Sequence, residues 1–131
     1  MYDRDYALTT RVEGTLQDVD ARVREALKAQ GFGVLTEIDI QATLKKKLDV
    51  DRRPYVILGA CSPPLAHKAL EAELPIGLLL PCNVTIFEGD DAQIYVQAIN
   101  PVVMFEMIDN PQVAEVAQEV GERLQRALDA L

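Results

Sequence analysis

The sequence predicts an α+β fold: a largely antiparallel sheet with helices packed on one face, in a β-α-β4-α core order with short inserted helices. Stretches in which apolar residues recur every second position alternate with stripes at helical spacing. Several apolar runs are joined by turns of hairpin type, which favour antiparallel pairing. The chain of 131 residues is 49% hydrophobic and 26% charged. That suits one two-layer domain over residues 1–131 and excludes disorder, collagen and coiled coil.

Tyr6, Leu8, Thr10 and Val12 alternate with Ala7, Thr9, Arg11 and Glu13, the pattern of a half-buried strand. Gly14 breaks it. Thr15 then stands as a helix N-cap, with Asp18 three residues on in a relaxed capping box. Leu16, Val19, Val23, Ala26 and Leu27 share one helical stripe, and Gly31 supplies the stop. Phe32, Val34, Thr36, Ile38 and Ile40 alternate as a second strand.

Residues 41–53 read as a short helix, with Leu44 and Leu48 one turn apart, followed by a loop. Lys45, Lys46, Lys47, Arg52 and Arg53 crowd this segment and form either a solvated face or a small anion-binding patch. Pro54 opens a third strand. Residues 55–61 are apolar at nearly every position, so this strand is buried on both sides or at least central in its sheet. Ser62 takes the N-cap position of the next helix and Pro63 its first turn, with Leu65, Ala66, Ala69, Leu70 and Ala72 on the apolar side. Pro75 ends it.

Residues 83–88 and 92–99 form two further strands, joined by a tight hairpin at Gly89-Asp90-Asp91. Residues 102–108 are too apolar for an exposed loop, so they close the core or cover a partner surface. Asn110 caps the last helix, with Pro111 at its first position. Its stripe runs through Val113, Val116, Ala117, Val120, Leu124, Leu128 and Leu131.

Thirteen Lys and Arg stand against 21 Asp and Glu, a formal charge of −8. A nucleic-acid partner needs clustered cations to displace counterions, so this balance excludes it as the expectation. The N-terminus has no apolar signal region, and no apolar run approaches the roughly 20 residues of a membrane helix. The expected setting is the cytoplasm, away from membranes, with reduced thiols.

One constellation carries possible chemistry: Cys61, His67, Cys82 and Asn83. Cys61 lies where a buried strand meets a helix start, where amides and the helix dipole would lower a thiol pKa. Cys82 begins the next strand, so neighbouring strands would bring both sulfurs to one site. Against this, free cysteines commonly pack as small hydrophobes. His67 projects on the side of Lys68 and Glu71, the placement of a surface residue. Two cysteines and one exposed histidine fall short of the four ligands zinc takes. No CxxC pair, HExxH, glycine-rich phosphate loop or nucleophile elbow is present. Asp90 and Asp91 serve a turn, and Glu37 and Asp39 lie on the wet side of a strand.

Three runs carry a family resemblance: residues 38–48 (IDIQATLKKKL), residues 55–67 (YVILGACSPPLAH) and residues 77–84 (GLLLPCNV). On them the chain resembles family 302 of the domains of unknown function. The resemblance implies a fold like a single copy of the TATA-binding-protein-like β-α-β4-α arrangement, often dimeric. It implies no activity, and therefore no catalytic residues. Members of the wider family often carry Asn-Pro where this chain has Cys61-Ser62-Pro63, and a residue other than cysteine at position 82, so the two cysteines mark a subgroup.

The leading expectation is a non-catalytic homodimeric domain, without a cofactor, that binds a small ligand or a partner protein. Its basis is the apolar surplus at residues 76–80 and 102–108, with Cys61, Cys82 and Asn83 as ligand contacts. The alternative is a thiol-dependent redox, sulfur-transfer or metal-binding protein. There Cys61 is nucleophile or ligand, Cys82 the resolving thiol or second ligand, and His67 a proton carrier or ligand. A third option is an anion sensor using Lys45, Lys46, Lys47, Arg52 and Arg53.

Overall fold

Alternating apolar residues become five strands: β1 (Ala7–Val12), β2 (Gly33–Asp39), β3 (Tyr55–Cys61), β4 (Cys82–Glu88) and β5 (Ile94–Ile99). In the computed structural model, which describes residues Met1–Leu131, they form one sheet in the order β1-β5-β4-β3-β2. Every neighbouring pair is antiparallel. The helices are α1 (Leu16–Ala29), α2 (Ile40–Leu48), α3 (Pro63–Ala72), α4 (Pro101–Met104) and α5 (Pro111–Asp129). None is long and apolar enough to cross a membrane.

One side of the sheet makes the core. Leu58, Val84, Ile86, Val96 and Ala98 are buried there together with Val19, Val23 and Leu27 of α1, Leu65 and Ala69 of α3, and the inner stripe of α5. On the other side Thr9, Ile57, Thr85 and Gln97 remain partly accessible. The α+β arrangement with helices on one face is thus the one the periodicities predict.

Caps set the helix boundaries. Thr15 Oγ1 accepts a hydrogen bond from the Asp18 amide at 3.1 Å and starts α1. Gly31, at φ +84°, turns the chain out of that helix in a conformation that disfavours any Cβ. Asn110 Oδ1 accepts from the Gln112 amide at 3.0 Å to start α5, and its Nδ2 donates to the Ala72 carbonyl at the end of α3 at 2.9 Å. One side chain therefore fixes two helix ends. In residues 102–108, Phe105 is buried beside the core whereas Val102 and Met107 stay exposed, so the segment closes the core with only part of its apolar surface.

Two local features differ from the sequence reading. The second strand does not keep one phase, because a bulge separates Val34, opposite Ala60, from Thr36, opposite Gly59. Leu35 is the extra residue, and it switches the sides of the residues after it. Val34 packs against the core, whereas Ile38, predicted to share its face, is exposed. The β4–β5 connection is also longer than a tight hairpin. Gly89 donates to the Gln93 carbonyl at 2.8 Å, and Ala92 takes a left-handed φ of +63°.

Residues Leu74–Leu79 form a 3-10 helix after α3. Ile76 is buried, but Leu74 and Leu78 are 78% and 91% exposed. Gly59 lies under the start of β4 and the second strand: a Cβ there would stand 2.2 Å from Thr36 Oγ1 and 2.8 Å from Pro81 Cγ. Only glycine fits that approach.

Candidate ligand-binding site

Ala60 pairs with Cys82 across β3 and β4, so the end of one strand and the start of the next share one end of the sheet. α3 turns back over this end, and α5 supplies Val116 and Val120 from the helical layer. The elements enclose an open cavity of about 290 Å³ whose walls include Cys61, Ser62, Leu65, Cys82, Phe105 and Leu35 of the bulge. No lining residue is charged.

Both predicted cysteines thus meet at one site, as free thiols, Cys61 half-buried and Cys82 buried. Their electrostatics run opposite to the expectation for a helix start. Burial raises the Cys61 thiol pKa, and burial together with the nearby Cys61 pushes Cys82 up to about 11. The reason is visible in the sequence of α3. Pro63 and Pro64 occupy its first two positions and carry no N–H, so the amides that would stabilise a thiolate are missing.

The same prolines isolate Ser62. It stands at the N-cap position, but its side chain makes no capping bond. An N-cap oxygen ordinarily accepts from the second or third helical amide, and here the second belongs to a proline. Ser62 is only 5% exposed, and its Oγ is buried without any hydrogen-bond partner. The sequence reading placed Ser62 as a cap and missed it as a wall of the site. A signal was present, because Ser-Pro-Pro leaves only one of the two usual cap donors, the Leu65 amide.

The remaining candidates lie elsewhere. His67 is exposed on α3 and lines a polar groove with Glu71, Glu115 and Glu119, away from the thiols. No group of three or more His, Cys, Asp or Glu stands together to hold a metal ion. The arrangement that would join His67 to both cysteines as ligands is therefore not formed, since α3 turns its histidine outward. Asn83 follows Cys82 but, by strand alternation, is exposed on the opposite side of the sheet, across from Gly59.

The five cations are also apart from the cavity. Lys45 Nζ lies between Asp49 at 2.9 Å and Asp51 at 3.0 Å. Arg53 pairs with Asp90, and the Arg52 guanidinium covers the Tyr55 ring at 5.4 Å. Lys46 and Lys47 point to solvent from α2. Acidic neighbours thus neutralise two of the five.

The model of the domain of unknown function DUF302 matches residues 8–131, a span that contains every residue of the cavity. The chain belongs to the DUF302 family. The crystal structure of the uncharacterized conserved protein DUF302 from Bacillus stearothermophilus is similar to this DUF302 chain, with a TM-score of 0.90 and 28% identity. The match covers 97% of this chain and 98% of that one. Among curated proteins none matches.

Proposed function

We propose that this DUF302 chain is a non-catalytic binding domain that holds a small, largely apolar ligand in the cavity at Cys61 and Cys82. The observation that carries the reading is the uncharged, concave lining of about 290 Å³ at one end of the sheet. A catalytic role has less support there, because burial keeps both thiols protonated. We place the domain's action in the cytoplasm, where the two cysteines would stay reduced. Titration with n-propylbenzene, followed by methyl NMR, tests the proposal. Saturable shifts at Ala60, Ala66 and Ala69 support it, and the absence of saturation up to the solubility limit overturns it.

We propose further that the domain is a homodimer whose contact includes Leu74, Leu78 and Met107, three large apolar side chains that solvent otherwise covers. Sedimentation equilibrium on the intact chain and on Leu78→Asp checks this. A dimer that the substitution weakens is the expected outcome; a monomer at high protein concentration removes the proposal.

A second reading, thiol redox chemistry, is favoured by one observation: both cysteines line the same cavity. In it, Cys61 and Cys82 lose two electrons and two protons to glutathione disulfide and form one intramolecular disulfide. Mass spectrometry after such treatment distinguishes that product from a glutathione adduct on Cys61 alone. The adduct alone counts against this reading.

A further inference from the structure

The cavity's polar content narrows the chemistry of its ligand, and this narrowing rests on the proposal that the cavity is a ligand site. A buried hydroxyl without a partner is costly, and buried polar groups are nearly always paired in folded proteins. Ser62 breaks that rule: the residue lines an otherwise apolar cavity, and its Oγ is shut off from solvent and unpaired. Pro64 removes one of the two helical amides a cap oxygen could accept from, and the hydroxyl does not take the other, that of Leu65. We infer that rotation about the Cα–Cβ bond turns this hydroxyl into the cavity and that the ligand supplies the missing partner, as a compact apolar molecule bearing one uncharged hydrogen-bonding group, such as an alcohol or a ketone.

Size and charge fix the rest of the class. A cavity of about 150 Å³ holds one benzene ring. The cavity of 290 Å³ therefore takes a ring with a short chain, or an aliphatic body of similar bulk. An ionised head is disfavoured. No cation lines the site, two helical amides are replaced by prolines, and a charge brought in would lose water without compensation. Ser62 can donate to a carbonyl or accept from a hydroxyl, so either neutral head satisfies it.

Three probes of matched bulk test the inference on the intact chain: n-propylbenzene, 3-phenylpropan-1-ol and 3-phenylpropanoate. Affinity is read from methyl NMR shifts and from slowed alkylation of Cys61. The alcohol is expected to be retained in Ser62→Ala but weakened about threefold to tenfold, the range of one ordinary hydrogen bond. The hydrocarbon is expected to bind both proteins alike, and the carboxylate to bind wild type at least tenfold more weakly than the alcohol. Failure of all three probes overturns the cavity as a ligand site. Binding of the hydrocarbon, with the alcohol indifferent to Ser62→Ala, leaves that site standing and overturns the role of Ser62. A carboxylate that matches the alcohol overturns the neutral head. Should Ser62→Ala fail to fold, the comparison of alcohol and carboxylate on wild type still decides the second point, and Ser62→Cys repeats the first.

Discussion

At Cys82 the structure makes a pH prediction with a definite sign. Burial and the neighbouring thiol hold its proton until about pH 11, against an ordinary value of 9.0 for the unfolded chain. Above pH 9 the unfolded state binds fewer protons, so stability falls as pH rises from 9 toward 11. The loss amounts to about 2–3 kcal/mol by the linkage relation. Urea denaturation at stepped pH should show this slope in wild type and a shallower one in Cys82→Ala. At Gly59 the expectation is steric. Ala there presses on Thr36 and Pro81 and should cost about 1–3 kcal/mol, with partial recovery in the double variant with Thr36→Ala. Thr36→Ala removes only one of the two close contacts. The single residues show how far the sequence could be read. The meeting of Cys61 and Cys82 followed from adjacent strands, and the outward placement of His67 from helical spacing. The raised thiol pKa values did not follow, because they depend on how deeply α3 buries the strand end. Position alone cannot give that depth.

Among the elements, α1 and α5 were legible almost to the residue, because an amphipathic stripe with a capping side chain is a local signal. Thr15 and Asn110 nevertheless carry different loads. Thr15→Ala removes one cap and should cost about 1 kcal/mol. Asn110→Ala removes a cap and also the bond to the end of α3, and should cost about 2 kcal/mol. Thermal or urea unfolding of the two variants side by side checks that order. The strand β2 was legible in existence but not in phase. Its bulge is dictated by pairing with β3, and the one irregularity in sequence, an apolar Leu35 in phase with Glu37 and Asp39, does not by itself mark a bulge. The consequence reaches the site, since that bulge is what places Leu35 at the cavity. The cavity itself had no sequence signature, for it arises only when α3, α5 and the strand ends are assembled.

Across the whole molecule, the acidic balance proved uneven in a way composition does not reveal. In space Asp49 and Asp51 pair with Lys45, and Asp90 pairs with Arg53, whereas Lys46, Lys47 and Arg52 have no carboxylate partner. The N-terminal residues are drawn into the structure as well. Tyr2 packs edge-on against Phe87 and Tyr95, and its hydroxyl accepts from the Asp90 amide at 2.9 Å. The strand order has a further consequence, for the speed of folding. β3, β4 and β5 pair as neighbours in space, and β4 and β5 are separated by only a short loop, so loop closure there costs little entropy. β1 must instead wait for β5, which lies some ninety residues later: Leu8 faces Ala98. The two outermost strands of the sheet, β1 and β2, are the first two that a ribosome releases, yet neither can find its sheet partner until later residues emerge. Substitutions in the β4–β5 hairpin should therefore slow refolding, whereas those in β1 should mainly hasten unfolding. Stopped-flow φ-values at Val96 and Val12 measure that division. During synthesis the opening third of the chain is left holding apolar strands without mates, an interval in which a chaperone has most to protect.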